Sequence, residues 1–410
     1  MSATKASSRS LLTLFGPGLL IAATGVGAGD LATAGFAGSK LGTAVLWAVL
    51  LGAVMKYVLT EGIARWQVAT GQTLVAGVGQ RLGRWALWAF LLYLIPWTWI
   101  VAAALISATG VATQALLPLP TGDTVGKVIW GSVWSLSCLA LVWRGGFRVF
   151  ERCMAVGILI MVAVVVFTAA MVEIDLPVAF KGLLVPTVPS VEGGRAWTIA
   201  LIGGVGGTVT MLCYGYWLSQ QGRRTPRDIQ MCRIDLMAGY LMTAIFGIAM
   251  VIIASNIPHL DGSGVGLLVS IADTLGAQIG AWSRWVFLVG GWAAIVSSML
   301  GVWQSVPMIL ADVIRGALGR PPLQPDSLER TSIARWCLIG IATLPVAQAI
   351  MRFEKVQLIY TVIGAYFLPM LAIVLLLLLR RSWTGTMASH WLGRTATMAV
   401  LGFFVWVALT

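Results

Sequence analysis

Charge is scarce in this chain. Lys, Arg, Asp and Glu together make 10% of its 410 residues, where a soluble chain of that length carries about 25%. Histidine is rarer still: only His259 and His390 occur, in expected loops on opposite sides of a membrane. Five cysteines, none in a CxxC pair, give no basis for a disulfide framework or a metal knuckle. No P-loop, HExxH or GxSxG is present, which argues against ATP-driven pumping within this chain and against the hydrolytic centres those motifs mark. No enzyme activity and no bound cofactor are expected.

Apolar sequence fills the space instead. Hydrophobic residues make up 59% of the chain and the mean hydropathy is +0.90. A spanning helix needs roughly 20 apolar residues, and about eleven such runs follow one another. The first lies near 11–37, the fourth and fifth near 128–143 and 153–172, the sixth near 197–220 and the last near 393–409. Short loops join them, so the reading is a single transmembrane domain over 1–410, all-α and polytopic. No cleavable signal is evident in the first 20 residues, and the first span is expected to stay.

The net charge of +12 is unevenly placed. Most Lys and Arg residues lie at the N-terminus and in the loops after even-numbered spans, among them Arg144, Arg223, Arg315, Arg330 and Arg380. The opposite loops hold few, such as Lys40, Lys127 and Lys181. The positive-inside rule then puts the N-terminus in the cytoplasm and, after eleven crossings, the C-terminus outside. The basic excess is a topology signal, not a nucleic-acid surface. The lipid bilayer is the expected partner, in the cytoplasmic membrane of a bacterium. The sequence leaves the oligomeric state open, with a monomer plausible.

Two spans carry glycine clusters at mid-membrane: "TGVGAGD" (24–30) in the first and "GGVGGTVTMLCYG" (203–215) in the sixth. Each interior glycine costs a helix about 1 kcal/mol relative to alanine. Two interrupted spans, five spans apart, fit an inverted five-plus-five repeat and point to a transporter's binding site. The repeats run about 11–172 and about 197–379, with an extra helix at about 393–409. Glycines that only allow close helix packing are the plainer explanation of either cluster alone.

Asp30 is the most informative residue. A carboxylate at the bilayer centre costs roughly 3 kcal/mol on insertion scales, so it must be paired, neutralised or watered. Carbonyls freed beside Gly25, Gly27 and Gly29 would join it in an all-oxygen set suited to a hard cation. A structural pairing of Asp30 with Lys56 or with a helix end is the alternative. Across from it, the sixth span offers Gly207, Thr208, Thr210, Met211 and Tyr214, and the eighth offers Ser297, Ser298 and Gln304 as candidate cavity groups. Glu61 is either an ion pair with Arg65, four residues on, or a proton-relay carboxylate. Asp235 and Asp312 lie near expected cytoplasmic ends, solvated or paired with arginines. The stretch 264–281 has helical apolar spacing interrupted by Asp273, and is either an amphipathic helix on the outer face or a packed loop.

The segments "FGPG" (15–18), "ATAGFAGSKLG" (32–42) and "ARWQVATGQTL" (64–74), with the eleven-span layout, resemble the Nramp family of divalent metal transporters. The resemblance implies a LeuT-type fold whose discontinuous first and sixth helices form a central metal site. The family's first-span motif DPGN falls on Gly27, Ala28, Gly29 and Asp30, so its first carboxylate is absent and its Asn position is Asp30. The sixth-span motif Ala-x-x-Met-Pro-His falls on 207–212. Its ligand methionine becomes Thr210, with Met211 one residue on, and its proton-linked histidine becomes Leu212. The resemblance therefore implies weaker selection for transition metals and loss of the usual proton path.

The function expected is secondary transport of a divalent cation, Mn²⁺ or Mg²⁺, by alternating access. Asp30, carbonyls near Gly27 and Gly207, and Thr210 or Met211 are the candidate ligands; Glu61, Tyr214 and Gln304 are candidate cavity or relay groups. The alternative is a LeuT-type transporter of a small organic solute such as an amino acid or amine. A metal sensor or a scaffold with a degenerate site is the third reading.

Overall fold

The computed structural model describes residues 16–223, 225–257, 264–351, 353–388 and 391–409; Phe15, His259 and His390 lie outside them. Among the described residues there are helices and 3-10 turns and no strand. Among the described residues, nine helices are long and apolar enough to cross a bilayer. The expected eleven crossings differ from this for two reasons. The helical run Gly29–Thr70 holds 42 residues, about twice a crossing, and Trp391–Val407 is a shorter apolar helix.

Span 1 is broken, as its glycines predict. It consists of Pro17–Gly25 and Ala28–Leu41, and Gly42 (φ +66°) ends it before span 2, Leu46–Thr70. Span 6 is broken as well, into Gly194–Gly204 and Cys213–Gln220 with a short 3-10 turn, Val209–Leu212, between. At that break Gly206 and Gly207 take φ of +81° and +75°, a left-handed backbone that glycine adopts without a steric cost.

The expected fourth and fifth spans fall within one helical element, Asp123–Met171. A straight helix would hold Cys138 and Cys153 about 22 Å apart, yet both line one cavity with Trp134 and Gly157. The two apolar halves, Asp123–Arg144 and Arg152–Met171, therefore lie side by side. The segment expected as an amphipathic helix or a loop is a helix, Gly264–Ile279. The charge that interrupts its apolar face, Asp273, pairs with Arg284 at 2.6 Å.

Burial sorts the spans. In the sixth, 89% of the apolar window is buried, against 28% in Asp123–Arg144, so span 6 is central and span 4 peripheral. Small residues bring the neighbours in. A side chain on Gly18 would strike the backbone of Asp235 in span 7 (Ile229–Ser255), and one on Gly27 would strike Ser298 in span 8 (Ala281–Ala317). One on Gly52 of span 2 would strike Ile202, and one on Gly203 would strike Thr361 in span 10, which begins with Phe353–Ala365. The two breaks thus sit at the middle of a helical sheath.

Candidate functional site

The two breaks meet backbone to backbone. A Cβ on Gly25 would lie 2.5 Å from the carbonyl carbon of Gly206, an approach that only a residue without one allows. Asp30, in the first turn of the second half of span 1, points across this junction. The Gly206 N–H donates to both its carboxylate oxygens, at 3.0 and 3.3 Å. Asp30 is completely buried. Its negative charge sits at a helix N-terminus, where the macrodipole favours it.

Lys56 reaches the same unwound segment from span 2. Its Nζ donates to the carbonyl of Gly203 at 2.8 Å and to that of Val205. These carbonyls end the first half of span 6, where a cation complements the helix dipole. Lys56 is as deeply buried as Asp30. The two form no direct salt bridge among the described pairs; they face each other through the segment 203–206.

A third layer comes from span 10. Gln357 donates through Nε2 to the Gly29 carbonyl at 3.3 Å and to the Thr33 hydroxyl at 3.1 Å. Its Oε1 is buried without a partner among the described residues. Ser298 donates to the Thr24 carbonyl at 2.7 Å. Sequence reasoning missed Gln357, because one amide in a distant apolar helix carries no local pattern.

The other expected site residues distribute unevenly. The Gly27 carbonyl accepts the Leu31 N–H at 2.9 Å, so it closes the first turn of the resumed helix rather than standing free. The Thr210 hydroxyl lies over Gly207, 2.5 Å from where a Cβ would be. Met211 is fully buried in the same 3-10 turn, its N–H bonded to the Thr208 carbonyl.

Tyr214, Gln304 and Glu61 form contacts of their own. The Tyr214 hydroxyl donates to the Cys232 carbonyl and to Asp235, at 3.2 and 3.3 Å. Gln304 Oε1 accepts from the Trp217 indole at 2.9 Å. Glu61 is gripped by Arg65 at 2.7 Å and Arg233 at 2.8 Å, the ion-pair arrangement of the two weighed above, extended by a second arginine.

Of the two arrangements expected for Asp235 and Asp312, solvation or pairing with arginines, Asp235 takes the second and Asp312 neither. Asp235 is buried and accepts from the Gly16 and Gly18 N–H groups at 2.9 and 2.8 Å, and from Arg223 at 3.2 Å. It therefore caps the start of span 1 from span 7. Asp312 is buried too, accepting from the hydroxyls of Thr73 at 2.6 Å and Tyr216 at 2.8 Å. Burial was possible because hydroxyls and helix-end N–H groups, not water, satisfy both carboxylates.

Comparison with known proteins gives a consistent answer. A family model described as "Natural resistance-associated macrophage protein-like" matches residues 18–410. The chain is 27% identical to the divalent metal cation transporter MntH of Acidiphilium cryptum, over 99% of this chain and 91% of that one. Its fold is similar to that of a variant of the Eremococcus coleocola manganese transporter, with a TM-score of 0.75, 15% identity, and 99% and 87% of the two chains covered. It is also similar in fold to MhsT in complex with L-phenylalanine, with a TM-score of 0.62, 15% identity, and 96% and 97% covered. The inverted-repeat fold with discontinuous first and sixth helices is therefore that of the LeuT-type transporters.

Proposed function

This chain belongs to the Nramp family, and we propose that it is a secondary transporter of divalent metal cations, Mn²⁺ or Mg²⁺, working by alternating access. One observation carries the reading: a lone buried carboxylate, Asp30, bridges two broken helices at the centre of the bundle. Transporter sites are built at such breaks, where unwound backbone can face an ion. The oxygens nearby are hard: the Asp30 carboxylate, Gln357 Oε1, the Thr210 hydroxyl and the carbonyls of the glycine-rich segments. Such a set suits Mg²⁺ or Mn²⁺, with waters completing the shell. The name of the Acidiphilium cryptum relative points to the same cargo.

The chain would lie in a bacterial cytoplasmic membrane, with its N-terminus in the cytoplasm and its C-terminus outside. It forms one transport domain of two inverted repeats, about 11–172 and 197–379, plus a final helix. Both charged groups of the core act on the cargo. Asp30 supplies the attraction, and Lys56 holds two carbonyls of span 6 that would otherwise be free for an ion. Entry of a cation exchanges the Gly206 N–H for the metal at Asp30. With Leu212 at the position of the family's proton-linked histidine, transport would not use that proton path.

The test is uptake of Mn²⁺ and Mg²⁺ into proteoliposomes by the protein and by Asp30→Asn. The expected result is metal uptake that the variant loses. Undiminished uptake by the variant would remove Asp30 from the mechanism. Absence of metal uptake, with uptake of an amino acid or amine instead, would replace the cargo.

A further inference from the structure

A second polar cavity lies away from the helix breaks, at the arginine-rich end of the bundle. It encloses about 450 Å³ between the end of span 4, span 8 and the start of span 9 (Ser332–Ile350). Arg144, Arg330 and Arg335 line it, against the single acid Glu329. No acid forms a salt bridge with Arg144 or Arg330 among the described residues. Arg335 lies over the ring of Trp143, 5.3 Å from its centroid, which fixes that guanidinium while leaving its N–H edge available. Burial pushes the Glu329 carboxyl above its ordinary range, Asp326 adds to this and Arg330 opposes it.

Two buried residues with unpartnered donors also line the cavity. Trp303 and Gln304, from span 8, both line it and are both more than nine-tenths buried. The Trp303 Nε1–H and the Gln304 Nε2 have no hydrogen-bond partner among the described residues. Buried donors are ordinarily satisfied, and two unsatisfied ones in one cavity are the mark of a missing acceptor. Gln304 is held in this pose because its Oε1 already accepts from Trp217, so the amide nitrogen is the end left over.

Three guanidinium groups, with two lining residues that each keep an unpartnered N–H donor, describe one kind of guest. It is negatively charged, rich in acceptor oxygens and small at its tip. We propose that this cavity binds a phosphate-class anion, either free or carried on the headgroup of an anionic phospholipid. Guanidinium forks match phosphate oxygens in pairs, and basic pockets between spans at a membrane surface take lipid headgroups. Trp143 and Trp336, exposed beside the arginines, suit the headgroup level of a bilayer. The site does not depend on the transport reading, since Asp30 and Lys56 take no part in it.

The test uses the full-length purified protein and two probes. Native mass spectrometry follows retention of phosphatidylglycerol against phosphatidylcholine from mixed micelles, and tryptophan fluorescence follows a titration with inorganic phosphate. The cavity variant is Arg144→Gln with Arg330→Gln; the control is Arg380→Gln with Arg381→Gln. At least one probe is expected to bind, at least fivefold more weakly to the cavity variant and unchanged in the control. Selective lipid retention identifies the headgroup as the source, and a phosphate response alone identifies the free anion. Binding of neither probe, or equal binding by the cavity variant, overturns the proposal. Should the paired change reduce folding, the exposed Arg144→Gln alone decides by the same criteria.

Discussion

Lys56 and Asp30 hold the same unwound strand of backbone from opposite sides. Lys56 donates to the carbonyls of Gly203 and Val205, and Asp30 accepts from the N–H of Gly206. A built-in ammonium thus occupies oxygens that a transported cation would use. Replacing it with Lys56→Met is expected to tighten Mn²⁺ binding about tenfold, or ~1.4 kcal/mol, as read by titration calorimetry. The same change strips two buried carbonyls of their donor at a cost of about 1–3 kcal/mol each, so the melting temperature falls. Weaker or unchanged Mn²⁺ binding in a folded variant would show that Lys56 does not compete with the ion.

The two glycines at the junction separate two physical effects. At Gly206 the obstacle to alanine is its backbone, with φ +81° and its nearest neighbours no closer than 3.2 Å; such strain costs about 1–2 kcal/mol. At Gly25 the obstacle is the opposing backbone, 2.5 Å away, which cannot step aside. Gly206→Ala is expected to lower the melting temperature with part of the uptake retained, and Gly25→Ala to abolish uptake. Equal uptake by the two variants would mean that close approach of the breaks is not required.

Selectivity is expected to respond to Thr210. Its hydroxyl lies over Gly207, and a thioether there would introduce a soft ligand. Thr210→Met is expected to raise competition by Cd²⁺ against Mg²⁺ in uptake assays by about tenfold, since sulfur favours softer metals. An unchanged competition profile would place Thr210 outside the ion's shell.

Asp235 ties the start of span 1 to spans 6 and 7, through Gly16, Gly18, Tyr214 and Arg223. Removing its charge leaves Arg223 buried and unpaired, typically worth 3–5 kcal/mol. Asp235→Asn is expected to loosen this end, so that the buried Cys232 reacts with a maleimide at least tenfold faster. A rate equal to that of the unchanged protein would show that the network does not close this end.

The sequence made the breaks visible because glycine clusters act locally, as at 203–207. Asp30 was visible because a lone acid in an apolar run has few explanations. The pairing of Glu61 with Arg65 was visible in their four-residue spacing, but the partners of Asp30, Asp235 and Asp312 were not. Lys56 and Val205 are 149 residues apart, and Asp235 and Gly16 are 219 apart; no spacing rule links them. Asp235 was expected to be solvated or paired with arginines; Arg223 does pair with it, but the N–H groups of Gly16 and Gly18 that also hold it belong to the first helix, far away in sequence. Similarly, Gly27 read as a source of free oxygen, but its carbonyl starts a new helix at once.

Where span 1 crosses span 7, a side chain on Gly239 would strike the backbone of Gly18 and one on Gly18 would strike that of Asp235. Side chains that interlock resist sliding like cogs; these two glycines have none to interlock. At this crossing the short leading half of span 1 is therefore held against span 7 by the Asp235 bonds, not by meshing side chains on these glycines. A polar latch over a contact of bare backbone makes one carboxylate decide how firmly that end of the half-helix is seated.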